Sequence, residues 1–163
     1  MTATRTPENS WPDGRIVRGL ALAVALLAPW TADADEAIGM VKTFKAPAFI
    51  VRQNQALPVQ AGMPVYATDR LKTGNEGSLG VTLKDDTLLS SGPNSTLAIE
   101  QFAFNSTSHE GNMLLRVVKG TLSMISGLMV KANPEAARIR TPSATIGIRG
   151  TEFIVEVEGE GEE

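Results

Sequence analysis

The chain has 163 residues, a hydrophobic fraction of 42% and a formal net charge of −3. That size suits one folded domain rather than several, and with no basic stripe in the text nucleic acid is not an expected partner. Cysteine is absent, which excludes a disulfide framework, thiol chemistry and the lipid-accepting cysteine of a bacterial lipoprotein.

The first element is a leader. Arg15 and Arg18 precede the apolar run Leu20-Ala21-Leu22-Ala23-Val24-Ala25-Leu26-Leu27-Ala28, and Pro29 and Ala32-Asp33-Ala34 follow it. Basic region, short apolar region and A-x-A site in that order predict a secretory signal peptide over 1–34, cleaved after Ala34. The alternative is an uncleaved anchor. Either way the bulk of the chain is expected outside the cytoplasm, periplasmic or secreted, and not membrane-spanning once the leader is removed. The organisation is then 1–34 signal peptide, 35–157 folded domain and 158–163 an acidic tail that composition predicts to be disordered.

After the leader come short apolar segments broken by Gly, Pro, Asn and Asp, without long helical periodicity. Predicted strands are Met40 to Phe44, Ala48 to Arg52, Leu79 to Leu83, Thr87 to Leu89, Thr96 to Ile99, Met113 to Val117, Thr121 to Ile125, Ala137 to Arg140, Ala144 to Ile148 and Glu152 to Val157. Turn chemistry separates them at Gly62-Met63-Pro64, Gly74-Asn75-Glu76-Gly77, Lys84-Asp85-Asp86, Ser91-Gly92-Pro93-Asn94, Glu110-Gly111-Asn112 and Asn133-Pro134. Alternation places Val81 and Leu83 inward and gives Arg138-Ile139-Arg140 one wet and one buried face. Pro134 to Ala137 is the one helix-like patch and is expected to be a turn. Many short strands without intervening helices predict an all-β domain, solenoid-like or sandwich-like. The densest cluster of strand formers is the last, Thr141 to Val157, expected to form a final hairpin.

Catalytic chemistry finds little support. The one histidine, His109, lies in a polar loop with no second His and no Cys to complete a metal site. No serine stands in a nucleophile motif. Asp85 and Asp86 fall between two strands, so they are expected to satisfy turn backbone rather than to pair with Asp69 around a cation. Gly147 to Thr151 lacks the Gly-Lys-Ser/Thr ending of a phosphate loop. Arg149 has two readings, tying down a neighbouring strand or binding a carboxylate or phosphate. Phe102 and Phe104, the only aromatic pair at strand spacing, are core or platform. No enzyme activity, cofactor or metal is expected.

Thr141-Pro142 followed by Gly147-Ile148-Arg149-Gly150-Thr151-Glu152-Phe153 resembles the closing signature of the FecR domain, a bacterial periplasmic module. Upstream text agrees in order: Val51-Arg52, Gly62 before Val65, Asp69 to Thr73, Gly77-Ser78, Leu83 to Leu88, Gly92 to Ser95 and Val118-Lys119-Gly120. The resemblance spans Gly39 to Val157. Thr68 and Asp86 depart from it, each standing in a turn where the family usually has Gly. In the family's best-known members the module receives a signal from an outer-membrane receptor and passes it inward to a sigma factor. The resemblance implies an exported, non-catalytic envelope protein-binding or signalling module, with Arg149, Gly150, Thr151 and Glu152 as the binding residues and Thr141, Pro142, Gly147 and Phe153 as structural ones. The alternative is a structural component of the cell envelope that binds peptidoglycan or polysaccharide.

Overall fold

A computed structural model describes residues 36–159. The predicted leader and its cleavage site lie outside the described residues, as do residues 160–163 of the acidic tail. The all-β expectation holds. The strands are β1 (Gly39–Lys45), β2 (Ala48–Arg52), β3 (Gln55–Pro58), β4 (Pro64–Val65), β5 (Arg70–Thr73), β6 (Ser78–Leu83), β7 (Leu88–Ser91), β8 (Thr96–Phe104), β9 (Gly111–Ile125), β10 (Ala137–Arg140), β11 (Thr145–Gly147) and β12 (Glu152–Val157). They form one connected, curled half-barrel sheet whose main path is β3-β2-β5-β8-β9-β7-β6-β1-β4.

The long strand β9 joins the two halves of that sheet. Its first half pairs antiparallel with β8 and parallel with β10. Its second half pairs antiparallel with β7 and β12. Met113, Leu115 and Val117 are buried in the first half and Leu122 and Met124 in the second, so the inward parity changes between them. A strand alternates strictly, and the change is absorbed at Gly120, whose φ is +86°. A Cβ there would lie 2.5 Å from the Ser95 Cα, so glycine is required sterically as well as conformationally. The two strands predicted at Met113 and Thr121 are therefore one strand with a corner.

Inward residues of both halves make a single core, including Ile50, Leu71, Leu79, Leu97, Leu115, Leu122, Met124 and Ile139, all nearly inaccessible. Val81 and Leu83 point inward and Arg138 and Arg140 outward, as alternation requires. Three strands escape the sequence reading, β3, β4 and β5, each of four residues or fewer. The predicted turn at Glu110-Gly111-Asn112 begins β9 instead, because the chain has already reversed through Asn105 to His109. Helix content is underestimated: α1 (Leu128–Ala132) precedes a 3-10 turn over Pro134–Ala136, which the Asn133 side chain caps by accepting from the Glu135 N–H.

The expected final hairpin is corrected. β11 pairs with β10, through a turn in which the Thr141 hydroxyl accepts from the Ala144 N–H at 3.0 Å. β12 pairs with β9 and not with β11. The Gly147 to Thr151 segment is thus a crossover between two strand pairs. The hairpin is the one turned by Thr141-Pro142.

Candidate interaction surface

The crossover is held by the sheet rather than by its own side chains. Ser126, buried at the end of β9, donates its N–H to the Thr151 carbonyl at 2.7 Å and its hydroxyl to the Gly150 carbonyl at 3.0 Å. Ile148 is buried, and Phe153 packs partly against the core. Gly150 adopts φ +131°, while a Cβ on Gly147 would meet nothing within 4 Å. Arg149, Gly150, Thr151 and Glu152 are exposed. Among the described residues the Arg149 guanidinium makes no ion pair or side-chain hydrogen bond, so the tie-down is made by Ser126.

The carboxylates singled out in the sequence are latches with separate partners. Asp69, almost fully buried, receives two parallel hydrogen bonds of 2.8 Å from the Arg52 Nε and Nη2 and a third of 2.9 Å from the Tyr66 N–H. Hydrogen bonding to Asp69 holds the Arg52 pKa above its ordinary value, against a smaller lowering by burial. The guanidinium also lies 4.3 Å over the Tyr66 ring, so β2 and the β4–β5 link are fastened by one cation.

Asp85 accepts from the Thr87 hydroxyl at 2.7 Å, and that hydroxyl oxygen accepts from the Gly127 N–H at 3.0 Å. The β6–β7 turn is thereby bound to the start of α1. Among the described residues no three His, Cys, Asp or Glu side chains cluster as metal ligands. His109 stacks on Phe104 at 6.3 Å in the β8–β9 loop.

What the sequence does not single out is a face. The registers Met40↔Thr82, Thr82↔Leu88, Leu88↔Ile125 and Ile125↔Glu152 place these residues in one row across β1, β6, β7, β9 and β12. The next row on the same face is Thr43, Gly80, Ser90, Ser123 and Ile154. Met40 is 49% exposed, Leu88 42%, Ile125 42% and Ile154 68%. Small residues between them leave a groove of about 490 Å³ lined by Lys42, Gly80, Thr82, Leu88, Ser123 and Ile125. The Thr82 hydroxyl is buried there without a hydrogen-bond partner. At one margin of the face β12 pairs with β9 alone, so among the described strands its other edge is open.

A family model described as FecR protein matches residues 69–163. The chain belongs to the FecR family. Neither the curated proteins nor the solved structures contain a match to it.

Strands β1 to β4 of this FecR chain precede the matched residues yet complete the sheet, β1 against β6 and β2 against β5. The Arg52–Asp69 pair spans that boundary. The two positions that depart from the FecR pattern keep its geometry: Thr68 has φ 75° and Asp86 φ 64°, both in the left-handed region that favours glycine. Much of the FecR-like text is therefore architectural, since Arg52, Asp69, Asp85, Ser95, Gly120 and Thr141 all serve as latches or corners. A signal for the exposed face was nonetheless present. Leu88-Leu89, Met124-Ile125 and Phe153-Ile154-Val155 place apolar residues on both sides of strands whose neighbours alternate.

Proposed function

We propose that this FecR chain is a non-catalytic binding or signalling module of the bacterial cell envelope, periplasmic or secreted. It engages another envelope protein through the face of β1, β6, β7, β9 and β12 and the adjoining open edge of β12. The observation that carries this reading is the exposure of Met40, Leu88, Ile125 and Ile154 around one groove. Contiguous exposed apolar surface with a polar rim marks an interaction site rather than a solvated face. The open edge adds backbone donors and acceptors for strand pairing with a partner. Arg149, exposed beside that edge, supplies a guanidinium for a partner's carboxylate.

The test is affinity capture from a detergent-solubilised envelope fraction with the parent protein, Leu88→Glu, Ile154→Glu and Arg149→Ala, followed by identification of the retained protein and its purification for titration. A partner that binds the parent and is lost with either Glu variant, both still folded by circular dichroism, is the expected result. Unimpaired binding by both Glu variants would remove the face from the reading. If Arg149→Ala stays folded and binds as the parent does, the arginine takes no part in recognition.

A second reading has its own observation. Phe102 and Phe104 line a cleft of about 660 Å³ with Ile38 and Ala67, and aromatic walls suit sugar rings. Retention on isolated peptidoglycan, abolished by Phe102→Ala and absent for the protein partner, would favour a structural wall-binding component.

A further inference from the structure

The sequence shows no basic stripe, but strand pairing makes a basic face. Registers align Arg70 with Ala98, Ala98 with Arg116, and Arg116 with Arg140, in one row across β5, β8, β9 and β10. Lys72 and Arg138 lie one pleat to opposite sides of that row, on its two outer strands, and all five cations are exposed. Their positions run from 70 to 140, so no window of the sequence contains the set.

Among the described residues one carboxylate pairs with them, while Glu156 and Glu158 line a cleft with Lys72 at one end of the face. Glu100, 25% exposed, accepts from the Arg140 Nη1 at 2.9 Å and lies 3.5 Å from the Arg116 Nη1. The formal charge of the chain is −3, so this concentration is local.

We propose that this face is a second binding surface, taking an extended acidic peptide segment with carboxylates at alternate residues. It rests on the protein-binding reading for the class of partner, but it lies in the other half of the sheet from the apolar groove. Same-face residues on a strand are about 6.7 Å apart, and Arg70 with Lys72 and Arg138 with Arg140 are two such pairs. An extended peptide lying along the strands repeats its alternate side chains at the same interval of about 6.7 Å. One carboxylate then meets each cation of a pair. Four of the five cations are arginines, whose planar fork suits a carboxylate bidentately, and Glu100 shows a carboxylate seated between two of them. Exposed Val118 and half-buried Leu114 flank Arg116 on β9 and give the methylenes of the peptide's acidic side chains apolar surface. A phosphate polymer lacks this use for them.

The experiment is fluorescence anisotropy of a labelled (Glu-Gly)₄ peptide with the purified protein. The comparators are a peptide with its four Glu contiguous and inorganic polyphosphate. Binding of the alternating peptide at low salt is expected, weakened at least about tenfold by ~0.3 M NaCl as screening shortens the range of charge interactions. The contiguous peptide should bind more weakly. Arg70→Gln and Arg138→Gln each remove an exposed cation without an ion-pair partner among the described residues, so both should stay folded. Each should lower affinity severalfold, and Ile154→Glu should not.

No binding by the parent protein would overturn the proposal. So would equal affinity for the contiguous peptide, or binding of polyphosphate without the alternating peptide. Any of these with the captured partner still lost in Leu88→Glu would leave the apolar face standing.

Discussion

Replacing Gly120 by Ala tests whether β9 is a single strand turned at one residue. The substitution puts an L side chain at φ +86°, with its Cβ 2.3 Å from the Ser95 Oγ and 2.5 Å from the Ser95 Cα. The left-handed conformation alone costs about 1 to 2 kcal/mol. Ser95 cannot simply move aside: it is 3% exposed, and its Oγ accepts from the Thr121 N–H at 2.9 Å while donating toward the Thr121 or Pro93 carbonyl at 3.2 Å. Displacing it weakens one or two partly buried hydrogen bonds, worth about 1 kcal/mol each.

The expected loss is about 3 kcal/mol, which equilibrium urea unfolding reads as a fall in midpoint of roughly 1.5 to 2 M at an m-value of about 1.5 to 2 kcal/mol/M. Gly147→Ala is the control, because it lies inside the family signature yet a Cβ there meets nothing within 4 Å. It should change stability by less than about 0.5 kcal/mol. The corner is refuted if Gly120→Ala proves as stable as Gly147→Ala.

Further outcomes follow from the latches. Asp69→Ala strands the Arg52 guanidinium and should cost about 3 kcal/mol by urea unfolding, whereas Arg52→Lys keeps the charge and loses the second parallel hydrogen bond, at about 1 to 2 kcal/mol. Thr87→Val leaves the Asp85 carboxylate and the Gly127 N–H without their shared hydroxyl and should cost about 2 to 4 kcal/mol, while Thr87→Ser retains most of the stability. Thr68→Gly relieves a β-branched residue at φ 75° and should raise the thermal midpoint, for a gain of up to about 1 kcal/mol, with Asp86→Gly near neutral because Asp tolerates that region better.

Local alternation was legible in the text because a strand with one buried face must repeat every two residues. β2, β10 and β12 have the bounds that their sequences predict. The short strands were not legible, since Pro64–Val65 and Arg70–Thr73 are strands only by virtue of their neighbours' backbone. Pairing was equally hidden: nothing in Thr145 to Gly147 says that it turns back on β10 and leaves Glu152 to Val157 to β9. The same holds for the surfaces. Arg149 could be named from a Gly-flanked arginine in one line of text, whereas the apolar groove draws its lining from four strands and the basic face its cations from three. The family signature, whose Arg149 to Glu152 are the expected binding residues, is largely the hardware of a crossover held by Ser126.

The position of β9's partners in the chain has a consequence for synthesis. β7 and β8 precede it, while β10 and β12 follow it. A nascent chain that has emerged only as far as α1 carries β9 with one flank paired and the other bare over its whole length. That bare flank is a template for any strand, including one from a neighbouring copy. Completion waits on Val157, the last residue to register against Gly120. Long-range pairing of this kind folds slowly, so the interval before the final strand arrives is when this protein is most exposed to misassembly.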